Sequence, residues 1–228
     1  MRRVLYAFFA AVLCACASPA LGPGRQGAGY YLQPAQLGLS YFPPAPEPDS
    51  AADKADMAVL REWQKRRTEA DCARARSEAH AYFPEFFGGV SPFVKPLPAE
   101  AARFFERVRV DTDAAVDVVK EANKRPRPFR RDPSLEPCAD RLGGYGYPSG
   151  HAAISRVEAR ILSALAPERS AQFLARADEA AWDRVLGGVH HPSDIEAGKR
   201  LGDSLYQQFL KNPAFRADME SLRRCLAR

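Results

Sequence analysis

The chain has 228 residues and a formal net charge of +5, with 33 lysines and arginines against 28 aspartates and glutamates. This length is enough to bury one substantial hydrophobic core and fits a single domain. The mild basicity suits the attraction of small anions. Because no basic stripe is interleaved with aromatic residues, the composition argues against a nucleic-acid partner.

Residues 1–17 have the three parts of a secretory signal peptide. Two arginines precede an apolar run over residues 4–16, and small residues follow it. The run is too short to span a bilayer comfortably, and no later stretch offers about 20 uninterrupted apolar residues. We therefore expect cleavage between residues 17 and 20, and a periplasmic or secreted protein without a transmembrane segment. A lipoprotein anchor is a less favoured alternative, because Cys14 stands where a lipidation signal has a small aliphatic or hydroxyl residue.

Residues 18–50 are rich in Gly and Pro and are expected to form an extended arm, whose aromatic side chains pack against the domain. Residues 51–228 are expected to form the helical domain itself. Asp49 or Ser50 can cap its first helix, along which apolar residues recur on one face as far as Ala73.

The stretch over residues 82–98 contains two adjacent glycines and four prolines, which predicts a loop. A second long helix follows, and it ends because Pro126 cannot continue it. Later helices are predicted after a Gly-rich segment at 143–151, from about residue 169 to 187, and from Pro192, a favoured first helical position. Because no alternating apolar pattern is long enough for a strand, the sequence predicts an all-α, single-domain helical bundle.

The Gly-rich segment, Gly-Gly-Tyr-Gly-Tyr-Pro-Ser-Gly-His at residues 143–151, predicts a tight loop that runs directly into a helix. Glycines let the backbone approach a ligand closely, and the first N–H groups of a helix have no partner inside it. The backbone beside Ser149 and His151 is therefore a candidate anion site with an imidazole at its rim.

His190 and Asp194 lie four residues apart, with Pro192 between them, and so flank the start of a helix. The carboxylate can accept the Nδ1–H of the imidazole, which leaves Nε2 free as a nucleophile. The alternative interpretation is a His–Asp pair that only caps the helix. A metal site at His190, His191 and Asp194 is disfavoured, because it needs a further well-spaced donor and the candidate partners are cationic. His80, at a predicted helix end, is interpreted as a surface or capping residue.

Lys120, Arg127 and Arg184 are candidate phosphate ligands. A guanidinium fork matches two phosphate oxygens, whereas a lysine acts as a point charge. Together with the amides of Ser149 and Gly150, the three cations could neutralise the oxygens of a phosphoryl group during transfer. Each of the three, taken alone, is equally compatible with a solvated surface position.

These residues fall into three motifs, which follow one another along the chain and each have a defined internal spacing. The motifs are Lys120-x6-Arg127-Pro128, Pro148-Ser149-Gly150-His151 and Arg184-x5-His190-x3-Asp194. They resemble the signature of the type-2 phosphatidic acid phosphatase superfamily, which also contains the vanadium haloperoxidases. Within it the chain looks most like the class A bacterial non-specific acid phosphatases, and the resemblance extends from about residue 30 to the C-terminus.

The resemblance implies an all-helical fold and hydrolysis of small phosphomonoesters to inorganic phosphate, without a metal or another cofactor. By matching positions, His190 is the nucleophile that forms a phosphohistidine, Asp194 orients it, and His151 protonates the leaving alcohol. The residues implied to hold the phosphate are Lys120, Arg127, Ser149, Gly150 and Arg184. A homo-oligomer is compatible with this assignment.

Two departures from the family pattern concern the site. Asp183 stands where the family usually has Ser, immediately before Arg184, which puts a phosphate contact or the helix orientation in question. Adjacent helical residues point apart, so we expect Arg184 to remain usable. Tyr145-Gly146 replaces the usual Gly-Ser, and Ala152 replaces the usual Thr. Substrate preference and pH profile therefore cannot be transferred from the family.

Three alternative functions stay open on the sequence. A vanadate-dependent haloperoxidase would use the same phosphate cradle, although the chain is short for one. A non-catalytic phosphoester-binding protein would bind its ligand without forming a phosphohistidine. A membrane lipid phosphatase is disfavoured by the lack of apolar stretches long enough to span a bilayer.

Three cysteines, Cys72, Cys138 and Cys225, follow the expected signal peptide. An exported protein can form a disulfide, but three cysteines allow one pair and one odd thiol. The sequence leaves the pairing open.

Overall fold

The computed structural model describes residues 29–33, 37–39 and 42–227, so the expected signal peptide lies outside the described residues. In chain order the α-helices are α1 (Ala51–Arg66), α2 (Glu69–Ser77), α3 (Phe83–Phe87), α4 (Ala99–Asn123), α5 (Pro128–Arg131), α6 (Gly150–Leu165), α7 (Ser170–Leu186), α8 (Pro192–Phe209) and α9 (Pro213–Ser221). Short 3-10 helices cover Pro167–Arg169 and Leu222–Cys225. Extended pairing in the described part is limited to an isolated bridge between Phe93 and Leu226. The prediction of an all-α fold is confirmed.

Helix α6 lies at the centre of the bundle and packs against α4, α7 and α8. It is buried on nearly all sides, as expected for a largely apolar helix that neighbours surround. Ile154, Ile161 and Leu162 are buried in its middle, and burial of each such side chain contributes about 1.5–3 kcal/mol to the folded state. The core therefore holds the start of α6, with its Ser149-Gly150-His151 motif, in a fixed position.

Two glycines on α8 set how closely this helix approaches α6. A Cβ atom on Gly198 would lie 2.5 Å from the carbonyl oxygen of Ser149, and one on Gly202 would lie 2.7 Å from that of Ala153. Both distances are shorter than van der Waals contact, so only glycine fits at these two positions where α8 crosses α6. The close approach brings the start of α8 next to the start of α6.

The first predicted helix is divided in two, and the expectation that it continues to Ala73 is wrong. Helix α1 ends at Arg66, and Thr68 caps α2. The Thr68 hydroxyl oxygen accepts the N–H of Asp71 at 3.2 Å, and the Asp71 carboxylate accepts the N–H of Thr68 at 2.8 Å. This capping box starts a new helix and interrupts the apolar repeat.

The predicted loop at residues 82–98 contains the short helix α3. Pro84 occupies its first turn, where the missing N–H of proline would have no helical partner. Phe83 stacks on Phe105 of α4, with ring centroids 3.8 Å apart. The expectation of a continuous loop is therefore wrong at these residues, because buried aromatic packing stabilises a helical turn that begins at a proline.

The described parts of the N-terminal arm pack on the helices. The carboxylate of Asp111, on α4, accepts the backbone N–H groups of residues 30–32 at 2.7, 2.6 and 3.0 Å. Further along, the hydroxyl of Tyr147 donates to the carbonyl oxygen of Pro43 at 2.9 Å. The arm is thus attached both to the middle of α4 and to the Gly-rich loop.

A disulfide joins Cys72 on α2 to Cys138, which lies in the segment before the Gly-rich loop. Cys225 is the free cysteine among the described residues. The pairing that the sequence left open is therefore between Cys72 and Cys138. No helix in the described ranges combines the length and the apolar character needed to cross a membrane.

Candidate active site

The turn between α7 and α8 carries His190, and the first turn of α8 carries Asp194. Gly188, with a φ of 75°, reverses the chain after α7 ends at Leu186. Pro192 then opens α8 and places Asp194 in its first turn, where the helix dipole favours a carboxylate. The Nδ1 atom of His190 lies 3.3 Å from Oδ2 of Asp194. The local fold therefore brings the predicted His–Asp pair together.

Arg127 determines which nitrogen of His190 carries the proton. Its Nη1 atom lies 3.1 Å from Nε2 of His190. A guanidinium can only donate, so Nε2 presents its lone pair and Nδ1 carries the proton toward Asp194. Burial lowers the pKa of His190 to about 3, with the hydrogen bond to Asp194 opposing this shift and the charge of Arg127 adding to it. The imidazole is therefore neutral above that pH, in the tautomer that a nucleophilic Nε2 requires.

Donors surround the carboxylate of Asp194. Its Oδ1 accepts from Nη1 of Arg125 at 2.7 Å, and its Oδ2 accepts from the backbone N–H and from Nδ1 of His191 at 2.9 and 3.0 Å. Burial by itself raises the pKa of Asp194, but the hydrogen bonds from His190 and His191 hold that pKa well below its usual range. Asp194 is therefore an ionised carboxylate bound to two imidazoles.

Arg125 links this carboxylate to helix α1. Its Nη2 atom donates to Oδ1 of Asp53 at 2.9 Å and to Oδ2 of Asp56 at 2.8 Å. The three carboxylates that Arg125 binds are all buried, so the guanidinium neutralises charges that water does not reach. Sequence reasoning missed this network. The signal that could have revealed it is a pair of aspartates, three residues apart, on the same helix face as the buried Met57 and Leu60.

Two carbonyl oxygens orient Arg127. Its Nε atom donates to Gly143 and its Nη1 atom donates to Val189, each at 3.1 Å. Burial lowers the pKa of Arg127 to about 10, so the side chain stays charged in acidic and neutral solution. The Gly-rich loop and the α7–α8 turn thus hold a positive charge beside Nε2 of His190.

Arg184 approaches His151 and Arg127 from α7. Its Nη1 atom donates to the carbonyl oxygen of Ala75, on α2, at 2.9 Å. Burial lowers the pKa of Arg184 to about 10, which leaves it charged at neutral pH. Its Nε atom is buried and has no hydrogen-bond partner within the described part of the chain. A buried donor without a partner is costly, and an anion bound beside it would satisfy it.

Asp183, the departure from the family Ser, binds α2. Its two carboxylate oxygens accept from Nε and Nη2 of Arg74, each at 2.8 Å. The carboxylate is almost completely buried in this ion pair. The departure therefore adds an ion pair between α7 and α2, next to Arg184.

Lys120, Ser149 and Gly150 complete the predicted phosphate-binding set. Lys120 lies in the last turns of α4, and burial lowers its pKa. The Ser149 amide, which was expected to face an anion, instead donates to the carbonyl oxygen of Asp194 at 2.9 Å. The Ser149 side-chain oxygen accepts a backbone N–H as the N-cap of α6. The hydroxyl hydrogen of Ser149 and the first N–H groups of α6, beginning with Gly150, are the donors that this loop can offer an anion.

His151 is the second residue of α6. Its Nε2 atom lies 2.9 Å from the carbonyl oxygen of Glu78. A carbonyl only accepts, so Nε2 carries a proton and Nδ1 is the nitrogen left for a substrate. Burial lowers the pKa of His151 well below its usual value, and four neighbours act in the same direction: Arg184, His190, Lys120 and Arg127. The two histidines and the three predicted cations therefore lie close enough together for their charges to act on one another.

Comparisons with known proteins identify the family of the chain. Residues 111–205 match the PAP2 superfamily. A non-specific acid phosphatase of Providencia stuartii is 30% identical over 208 residues, which cover 84% of this chain and 82% of that protein. The chain belongs to the PAP2 superfamily. An acid phosphatase of Zymomonas mobilis subsp. mobilis is 31% identical over 143 residues, or 60% of this chain and 53% of that protein.

Solved structures share the fold of this PAP2 protein. A bacterial vanadium-dependent iodoperoxidase matches with a TM-score of 0.59 at 20% identity, over 79% of this chain and 53% of that one. A transmembrane PAP2-type phosphatidylglycerolphosphate phosphatase from Bacillus subtilis matches with a TM-score of 0.51 at 20% identity, over 78% and 90% of the two chains. At this identity the likeness shows the fold alone. The superfamily and its helical fold, both predicted from the sequence, are confirmed.

Proposed function

We propose that this PAP2 protein is an exported, non-specific acid phosphatase, which hydrolyses phosphate monoesters through a phosphohistidine on His190 without a metal ion. The superfamily and the acid phosphatases among its relatives support phosphatase chemistry. The observation that carries the proposal is the state of His190. Its Nδ1–H is bound to Asp194, and its Nε2 lone pair lies among buried cations.

Export is supported by two independent features. The N-terminal residues have the pattern of a signal peptide. The disulfide between Cys72 and Cys138 belongs to a type of bond that persists in oxidising compartments and is rare in the cytosol.

The proposed reaction has two steps. Nε2 of His190 attacks phosphorus while the bond from phosphorus to the leaving oxygen breaks, so the phosphoryl group is transferred to nitrogen. Asp194 keeps the Nδ1–H and stabilises the ring as it gains positive charge. Water then attacks the phosphohistidine, inorganic phosphate leaves, and Nε2 regains its lone pair. In both steps the charge on the phosphoryl oxygens is stabilised by Lys120, Arg127 and Arg184.

His151 handles the protons of both steps. It donates a proton from Nδ1 to the leaving oxygen, since its Nε2–H is bound to Glu78, and it takes a proton back from the attacking water. Burial and the surrounding cations lower the pKa of His151, so the ring needs the negative charge of a bound phosphate to become protonated. This requirement predicts highest activity in acid, at a pH above the pKa of about 3 of His190.

The test compares histidine variants on two substrates. His190→Ala should lose turnover of p-nitrophenyl phosphate by about 10⁴-fold or more, because the nucleophile is removed. His151→Ala should lose about 10²-fold or more with an alkyl phosphate, whose leaving oxygen needs a proton, and less with p-nitrophenyl phosphate in the phosphoryl-transfer step. The wild-type protein, quenched in alkali during turnover of labelled substrate, should carry phosphate that acid releases.

The matched control is His80→Ala. His80 is exposed and stacks on Tyr82, with ring centroids 5.5 Å apart, so its removal should leave turnover unchanged. Retained turnover in a folded His190→Ala protein would remove the nucleophile assignment. Phosphate binding without turnover or labelling would indicate a binding protein, and halide oxidation on addition of vanadate would indicate a haloperoxidase.

A further inference from the structure

Three hydrogen-bond donors converge on one oxygen of Asp194. Oδ2 lies 2.9 Å from the backbone nitrogen of His191, 3.0 Å from Nδ1 of His191 and 3.3 Å from Nδ1 of His190. A carboxylate oxygen offers about two lone-pair directions, so these donors compete. The hydrogen bond to His190 is the longest of the three, and it is therefore the weakest.

Asp194 cannot relieve this competition by rotating its carboxylate. Oδ1 is held at 2.7 Å by Nη1 of Arg125, whose Nη2 is bound to two aspartates of α1. The main chain is held as well, since the carbonyl oxygen of Asp194 accepts the N–H of Ser149 at 2.9 Å. The two imidazoles must therefore share Oδ2.

We propose that His191 is a positioning residue, which acts through Asp194 to keep the nucleophile His190 unprotonated in acid. Because Nδ1 of His191 faces a carboxylate, it carries a proton and donates to Oδ2. This donation withdraws part of the negative charge of Asp194 from the Nδ1–H of His190, so Nε2 of His190 binds a proton less readily. The inference rests on the proposed function, since it sets the pH range in which a histidine nucleophile works.

The charged groups around His190, Asp194 and His151 come from each neighbouring element. They are Lys120 from α4, Arg125 and Arg127 from the segment before α5, His151 from α6, Arg184 from α7, and Asp194 from α8. Of these, Asp194 is the group that favours a protonated His190, while the cations oppose protonation. A small change in the strength of the His190–Asp194 hydrogen bond therefore changes the pKa of His190 directly.

Two substitutions of His191 separate hydrogen-bond donation from packing. His191→Phe keeps a planar ring but removes the donor. His191→Asn keeps a donor in the same place, because the amide nitrogen, like Nδ1, is bonded to Cγ. The matched control is Arg131→Gln, which removes an arginine that binds Asp53, in the same acidic cluster, at 2.7 Å.

The first readout is the NMR resonance of the Nδ1–H proton of His190 at neutral pH, which needs no enzymatic activity. We expect it to move downfield in His191→Phe, because its hydrogen bond to Asp194 strengthens, and to stay in place in His191→Asn. The second readout is the pH profile of kcat/KM with p-nitrophenyl phosphate. Its acid limb should move up by about one pH unit in the Phe variant, a tenfold loss of rate on the acid side. Arg131→Gln should change neither readout.

The wild-type spectrum tests the same point without a substitution. The Nδ1–H proton of His191 should resonate downfield of that of His190, in keeping with its shorter distance to Oδ2. The reverse order, or an acid limb that moves equally in the Phe and Asn variants, would overturn the inference. Absence of phosphatase activity in the wild-type protein would refute the proposed function, and the two resonances would still decide whether Asp194 is shared.

Discussion

Gly198→Ala should impair catalysis more than it impairs folding. The new Cβ would lie 2.5 Å from the carbonyl oxygen of Ser149 and 2.8 Å from Cβ of Ala152, whereas ordinary contact begins at 3.4 Å. Helix α8 must therefore move away from α6 by about 1 Å. Such overpacking costs about 1–3 kcal/mol, and the better helix propensity of alanine returns roughly 1 kcal/mol. The net loss of stability is about 0–2 kcal/mol, or a few degrees in Tm.

The same displacement acts on the groups that we propose to be catalytic. The N–H of Ser149, at the start of α6, is bound to the carbonyl oxygen of Asp194, in the first turn of α8. A separation of the two helices at Gly198 therefore changes the position of Asp194 and His190 relative to His151. Misplacement by about 1 Å costs roughly 10²-fold in rate. We expect kcat/KM for p-nitrophenyl phosphate to fall by about 10-fold to 100-fold.

Gly202→Ala is the matched control for this prediction. Its Cβ would lie 2.7 Å from the carbonyl oxygen of Ala153 and 2.9 Å from Cβ of Arg156, so the steric conflict is similar. The position is one helical turn further from Asp194, so Tm should fall by a similar amount and kcat/KM by clearly less. Thermal unfolding and kcat/KM are measured on both variants. Equal losses of kcat/KM in the two, or unchanged kcat/KM in a destabilised Gly198→Ala, would refute the reasoning.

Two further predictions concern stability. Both carboxyl oxygens of Glu158 are buried without a partner among the described residues, and burial raises its pKa well above the usual 4.5. As the pH rises above about 4.5, Glu158 should therefore lower the free energy of unfolding by up to about 1.4 kcal/mol per pH unit, relative to a variant with an uncharged side chain at this position. Glu158→Gln should therefore be more stable than wild type to urea unfolding at pH 7 and equally stable at pH 4. A difference in unfolding free energy between the two proteins that is the same at both pH values would contradict this. Reduction of the Cys72–Cys138 disulfide, which spans 66 residues, should cost about 4 kcal/mol in urea unfolding. Cys225→Ser should change nothing, and an unchanged urea midpoint after reduction would refute the role of the disulfide.

Local features of this fold could be predicted from the sequence. Ser50 caps α1 and Pro192 opens α8, as their residue types indicate. His190 and Asp194 meet because four residues across a helix start span about one turn. The break between α1 and α2 was missed, although it too has a local signal. Thr68 and Asp71 form a capping box that the apolar repeat obscured.

The contacts that hold the site residues in place join residues far apart in the chain. The periodicity of apolar residues does not reveal such contacts. Arg125 binds Asp53 and Asp56 across 72 and 69 residues of chain. The Ser149 amide faces the carbonyl oxygen of Asp194 because α8 packs tightly on α6. Each of these pairings requires the packing of the helices to be known. The spacing of the motifs could therefore predict which residues meet, but not which groups on them are already bound.

Asp183 shows how a departure from the family pattern can leave the neighbouring Arg184 in position. Consecutive residues of an α-helix point about 100° apart, so Asp183 can bind Arg74 of α2 while Arg184 turns toward His151. The two contacts support each other, because α2 also provides the Ala75 carbonyl oxygen that holds Nη1 of Arg184. The negative charge of Asp183 favours the charged form of Arg184 and raises its pKa against the effect of burial. The acidic residue therefore strengthens the attachment of α7 to α2 and helps to keep Arg184 cationic.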